Sequence, residues 1–204
     1  NLKNALCRAD HISTLSRFVA KKLQNQWGIQ SSRVTCIPPP LALLKPDPGK
    51  TLPAKQFLLT VGTLEPRKNL KRLLMAQTHA FKRTGVPLFL VGPYGWQAKT
   101  ILDQLARMGR AARWLGPVQD GTLAQLYQKA SAVVQYSLDE GFDYTAPEAL
   151  HFGRPLVLSD IPVHREVAKD LGVYVSPFDS KELTSGIEEV LSWDASKVKE
   201  HGER

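Results

Sequence analysis

Glu140 and Glu148 are separated by seven residues in "EGFDYTAPE". Glu140 precedes Gly141 in a loop, and Glu148 follows Pro147 in the first turn of a short predicted helix. A carboxylate only accepts hydrogen bonds, so such a pair is suited to gripping hydroxyl groups. Earlier in the chain, "LTVGTLEPRKNLKRLL" places Gly62, Arg67 and Lys68 between an apolar run and a helical one. A helix start disfavours cations, so two adjacent ones there require a negative partner. Residues 141–145 lead into a helix N-terminus, whose free amides and dipole also favour an anion. Cations and amides for an anion, with carboxylates for hydroxyls, fit a sugar carried on a nucleoside diphosphate. The sequence has no DxD pair and no His/Asp cluster that would hold a metal.

Positioning those groups takes strands that end side by side. "KPDPGKTLPAK" is rich in Pro and Gly and marks a linker, placed at residues 45–56. Beyond it, "QFLLTVG", "PLFLVG", "ARWLG", "SAVVQYS", "PLVLS" and "GVYVS" read as strands. "NLKRLLMAQTHAFKR", "AKTILDQLARMG", "TLAQLYQKA", "APEALHFG" and "KELTSGIEEVLSW" read as helices, with Asn69, Thr122 and Asp179 as their expected caps. This alternation predicts an α/β fold, a parallel sheet covered by helices on both faces. Such sheets bind ligands beyond the carboxyl ends of their strands. Residues 1–44 read separately as helix, strand, helix, strand, with Ser16 capping "RFVAKKLQNQW" and Gly28 ending it. His164 and Arg165, after "SDIP", read as part of a capped surface helix, and Trp96 and Trp114 as packing residues.

With 204 residues, 43% of them hydrophobic, the chain can build a proper core. Its formal charge of +8 suits nucleic acid, an anionic membrane surface or phosphorylated small molecules. The cations are dispersed and only 8% of residues are aromatic, which argues against nucleic acid. No apolar run reaches the roughly 20 residues of a membrane helix, and the start has no signal-peptide pattern. Cys7 and Cys36 form neither a CxxC pair nor a metal-ligand spacing, as expected of a reduced, cytoplasmic protein. A start at Asn1 rather than Met is expected of an excised or processed chain.

The segments "VGTLEPRKNL", "VGPYGW", "LGPVQD" and "EGFDYTAPEALHFGRPLVLSDIPVHREV" lie in that order within residues 57–192. Together they resemble the donor-binding domain of retaining glycosyltransferases with the GT-B fold, glycosyltransferase family 4. The resemblance implies a Rossmann-like, nucleotide-sugar-binding domain over residues 57–204, and makes residues 1–44 a remnant of the N-terminal acceptor domain. It implies that Arg67 and Lys68 contact the donor diphosphate and that Glu140 holds hydroxyls of the transferred sugar, the three forming the catalytic set. It implies ribose binding by Glu148 and a main-chain contact of Val118 with the base. It also implies that the backbone of Phe142, Asp143, Tyr144 and Thr145 meets sugar and phosphate, and that Gly62 lets its loop pass close. Thr63 departs from the cation common after that glycine. Asp143 and Tyr144 depart from a glycine and a small apolar residue, so position 143 is expected to alter sugar selectivity or loop shape.

The implied activity is sugar transfer with retention, without metal or cofactor, to a saccharide or lipid-linked acceptor in polysaccharide biosynthesis. The first two segments look most like mannosyltransferases that use GDP-mannose. The implied partners are the donor, the acceptor and the missing N-terminal domain; peripheral contact with the inner face of a membrane is a further expectation. Lacking one wall of the cleft, the chain is expected to bind donor yet to be inactive alone. The alternative is a noncatalytic nucleotide-binding module acting as scaffold or regulator. An epimerase or phosphorylase of the same fold would fit the sheet but not the motifs.

Overall fold

The computed structural model describes residues 2–41, 43–47, 56–194 and 196–198. Most of the expected linker, residues 48–55, lies outside them. The chain begins with α1 (Leu2–Arg8), β1 (Ile12–Thr14), α2 (Arg17–Trp27) and β2 (Val34–Cys36). β1 and β2 pair in parallel. Ser16 caps α2 by accepting from the Val19 amide, and Gly28 ends it at φ 64°, in the left-handed region that glycine adopts freely.

There follow β3 (Leu58–Val61), α3 (Leu70–Thr84), β4 (Leu88–Val91), α4 (Lys99–Met108), β5 (Ala112–Trp114) and α5 (Asp120–Lys129). Then come β6 (Ala132–Gln135), α6 (Thr145–His151), β7 (Leu156–Ser159), α7 (Pro162–Ala168), β8 (Val173–Val175) and α8 (Ser180–Leu191). Their strands form one all-parallel sheet in the order β5-β4-β3-β6-β7-β8.

Both sheet faces are apolar because both are covered. Leu58, Leu88, Leu90, Ala132 and Val134 point to one face and pack with Leu73, Leu74 and Ile187. Their neighbours Leu59, Val91 and Val133 point to the other and pack with Leu126, Tyr127, Ala146 and Ala149. The chain runs outward from β3 to β4 and β5, and β6 then returns to the far side of β3. The strand order therefore reverses between β3 and β6, and the loops after these two strands flank the crevice where such sheets bind ligands.

Four local expectations are corrected. Asn69 occupies the start of α3 but makes no capping bond; it sits at φ 53° and spends its side chain on the Pro177 carbonyl and on Arg72. Thr122 lies inside α5, whose cap position is Gln119. Trp96 is exposed rather than packed, whereas Trp114 is half-buried and donates to the Gly92 carbonyl at 2.9 Å. His164 is on α7 as a helical residue but is fully buried, not on the surface. Among the described residues, no helix is long and apolar enough to cross a membrane.

Candidate functional site

Arg67 and Lys68 are not in α3. They occupy a separate helical turn, Pro66–Lys68, that lies before it and ends at Asn69. Their counter-charge comes from the loop after β6. Lys68 Nζ lies 2.8 Å from Glu140 Oε1, Arg67 pairs with Glu140 Oε2, and the Ser137 hydroxyl donates to Oε1 at 2.7 Å. Arg67 also pairs with Glu65 at 2.5 Å and donates to the Asp139 carbonyl at 2.9 Å. Burial would raise the Glu140 carboxyl, but Lys68, Ser137 and Arg67 outweigh it and hold the group below the usual carboxylate range. The four charged side chains, two cations and two carboxylates, sum to zero.

Glycine makes room for this cluster. A Cβ on Gly62 would stand 2.8 Å from Lys68 Cε, so any other residue there would displace the lysine from its path across the strand end. Thr63 is half-buried in the same loop, and its methyl group faces Gly95.

Glu148 lies on α6, one loop away. Tyr127, fully buried on α5, donates its hydroxyl to Glu148 Oε2 at 2.7 Å and stacks on Phe152. Burial raises the Glu148 carboxyl, with the Tyr127 bond opposing. Burial and Glu148 together push the Tyr127 hydroxyl far up, so it stays a donor. Nothing in "TLAQLYQKA" singled out Tyr127, because its partner lies on another element. On the expectation that Glu148 binds ribose, Tyr127→Phe should weaken nucleoside and nucleoside diphosphate binding alike, by about fivefold for a lost hydrogen bond of roughly 1 kcal/mol. Calorimetry with both ligands checks this, and a change confined to one ligand would contradict it.

The residues between the two glutamates have divergent fates. Phe142 and Tyr144 meet edge to face with ring centres 5.1 Å apart, Tyr144 being exposed. The Thr145 amide donates to Asp143 Oδ1 at 3.0 Å. The Thr145 hydroxyl points to the Val61 carbonyl at 3.5 Å. Asp143 is itself buried, and its Oδ2 lies 3.4 Å from His164 Nε2. Val118 is half-buried against the apolar cluster of α5 and α6, apart from the charged cluster. Among the described residues, no group of His, Cys, Asp and Glu stands together as a metal site.

The N-terminal unit docks on the same loop. The Ser16 hydroxyl donates to the Gly141 carbonyl at 2.7 Å, and Lys22 pairs with Asp139 at 3.3 Å. The Arg17 and Phe18 amides, at the start of α2, donate to the Glu166 carboxylate of α7 at 2.7 and 2.9 Å. An acid on a helix start satisfies free amides and complements the dipole. Between α2 and the loop lies a cleft of about 530 Å³, faced by Phe18, Lys22 and Trp27 on one side and Arg67, Glu140 and Phe142 on the other.

An all-parallel sheet with a strand-order reversal, and a cation–carboxylate cluster at that reversal, define a Rossmann-like unit, of the class whose members bind ligands at the strand ends. The family model described as "Glycosyl transferases group 1" matches residues 55–192, and the chain belongs to that family. It is 30% identical over 210 residues to O-antigen chain mannosyltransferase B of Escherichia coli, covering 96% of the chain and 55% of the relative. It is 31% identical over 143 residues to the serotype-specific mannosyltransferase WbdA of Escherichia coli, covering 68% of the chain and 17% of the relative. The chain thus spans about half or less of the length of these relatives. Among solved structures, sucrose-phosphate synthase from Thermosynechococcus elongatus superposes with a TM-score of 0.81 at 23% identity, over 99% of this chain and 54% of that one. Anabaena HepE, in complex with UDP and glucose, superposes with a TM-score of 0.81 at 21% identity, over 97% and 57%. These likenesses establish the GT-B type of fold.

Proposed function

We propose that this chain is the donor-binding part of a retaining glycosyltransferase that moves mannose from GDP-mannose to a saccharide or lipid-linked acceptor. The observation that carries the reading is the convergence of Arg67, Lys68 and Glu140 where the strand order reverses, with Glu148 on the adjacent helix. The mannosyltransferase relatives support the sugar. In this reading Arg67 and Lys68 exchange part of their pairing with Glu140 for the donor diphosphate. They then stabilise the charge that builds on it as the glycosidic bond breaks. Glu140 and Glu148 accept from sugar and ribose hydroxyls, and Val118 offers its backbone to the base. No metal is required in this scheme. The cleft against α2 gives an acceptor access to the sugar, and a peripheral site at the inner face of a membrane would supply a lipid-linked one.

Calorimetry with GDP, UDP and ADP tests the donor. GDP is expected to bind most tightly; equal weak binding of all three would sink the choice of base, and no binding at all would sink the reading. Residues 1–204 alone are expected to transfer no sugar, because positioning the acceptor against the anomeric carbon supplies much of the rate. Measurable transfer from any donor would contradict that.

Glu148 adds a pH signature. The carboxylate accepts from hydroxyls more strongly than the neutral acid, one of whose oxygens becomes a donor, and the folded-state pKa of Glu148 is raised by burial. Nucleoside affinity should therefore fall on acidification earlier than an unperturbed glutamate would make it. Glu148→Gln should weaken binding and flatten that profile in the same titrations.

A further inference from the structure

The buried Asp143–His164 contact raises a question of proton count. Ser159 has one hydroxyl proton, and it goes to the Ser137 carbonyl at 2.6 Å. His164 Nδ1 lies 2.8 Å from the Ser159 carbonyl and 3.1 Å from its hydroxyl oxygen. A carbonyl only accepts, and the hydroxyl proton is already engaged, so Nδ1 must carry a proton. In a neutral ring Nε2 would then present a lone pair to Asp143 Oδ2, which is 3.4 Å away. Both atoms are buried, and among the described residues neither has another hydrogen-bond partner. Two facing lone pairs out of water are unfavourable. One further proton must therefore lie between Nε2 and Oδ2.

We propose that His164 is a positioning residue whose shared proton cancels the charge of Asp143, so that the loop at residues 141–145 can accept a donor diphosphate. This rests on the nucleotide-sugar reading. The reason is electrostatic. Arg67 and Lys68 are already matched by Glu65 and Glu140. An additional bare carboxylate in that loop would make the site net negative, against an anionic ligand. The pair also fixes loop shape, because Asp143 Oδ1 holds the Thr145 amide while Oδ2 is held by the ring. The other charged groups acting on Asp143 are Lys68 and Glu140, and Tyr127 and Glu148 feel its field. The α7 neighbours of His164 are engaged elsewhere, Arg165 by Asp160 and Glu166 by the start of α2. Burial by itself drives the Asp143 carboxyl toward its protonated form.

The test compares His164→Leu with the unaltered 204-residue chain, titrating GDP at several pH values. In the variant only Asp143 itself can hold the proton. Its affinity relative to the unaltered chain should fall as pH rises past the Asp143 pKa, by up to about tenfold per pH unit. Taking the ratio removes the titration of GDP, which both chains share; loss through Glu148 runs the other way, on acidification. Adding Asp143→Asn to His164→Leu should abolish the pH dependence, since the amide has no proton to lose. A His164→Leu deficit that is equal at every pH would overturn the proposal and leave His164 as packing. The ring spectrum of His164 in the unaltered chain, by nitrogen-15 NMR, decides independently of folding in the variant. A protonated Nδ1 with a second, slowly exchanging proton toward Asp143 is expected; a bare Nδ1 would overturn the proton count. If the unaltered chain binds no nucleoside diphosphate, the nucleotide-sugar reading fails, and the spectrum still decides the pair.

Discussion

Lys68→Ala is expected to weaken nucleoside diphosphate binding about ten- to a hundredfold while leaving nucleoside binding nearly unchanged. The ammonium has no use near a ribose or a base. Beside a phosphate it makes a charge-assisted contact worth roughly 1.5–3 kcal/mol, which corresponds to that range of affinity. Its position supports the size of the effect: the side chain is only 13% exposed, so water screens it poorly. The stem crosses Gly62 and the charge meets Glu140 Oε1 at 2.8 Å, so the lysine is already held at the strand end. Added salt should reproduce only a small part of the loss for Lys68, because so buried a charge is weakly screened, and almost none of the loss for Glu148→Ala, which removes a hydroxyl acceptor and affects both ligands. Two variants titrated with GDP and guanosine make the comparison. Equal losses for both ligands in Lys68→Ala would show that the lysine supports the loop rather than a phosphate.

The second large effect is on stability. Gly92→Ala should cost about 3 kcal/mol and lower the melting temperature by roughly 6–12 °C. Gly92 ends β4 at φ 141°, and a Cβ there would overlap the Gly62 carbonyl. Three strand ends meet at this point: the Gly62 amide donates to the Val91 carbonyl at 2.8 Å and the Gly92 amide to the Gly116 carbonyl at 3.0 Å. Relief would have to come from backbone that is hydrogen-bonded on both sides. Gly28→Ala is the control. Its φ of 64° lies in the left-handed region, which alanine reaches at modest cost, and among the described residues nothing lies within 4 Å of the added methyl. It should cost only about 1–2 kcal/mol for the left-handed conformation. Thermal unfolding of the two variants compares a left-handed glycine in open space with one whose added methyl meets both a collision and a backbone that only glycine adopts readily. If they melt alike, the crowding at the strand ends is not rigid.

Much of this architecture was legible along the chain. Runs such as "QFLLTVG" and "PLFLVG" are short, apolar and ended by glycine, which identifies strands buried on both faces. Ser16 and Asp179 were readable as caps because a cap acts on amides two or three residues away. Asn69 misled for the opposite reason. Its side chain is drawn off by Pro177, 108 residues later, and no local rule anticipates that competitor.

The site divides along the same line. Residue types and spacing determined the strand ends, the adjacent cations and the two glutamates, because a strand, its turn and the following helix are contiguous. Only the tertiary structure decided what each group faces. Strand order put β6 beside β3, and so brought Glu140 to Lys68 across 72 residues. It set Tyr127 against Glu148 and buried His164 beneath Asp143, turning an apparent surface residue into part of the loop's support. Hydrogen bonds and charges act over a few ångströms in space, whatever the separation in sequence. The sequence therefore carries the groups, and the packing of the sheet chooses their partners.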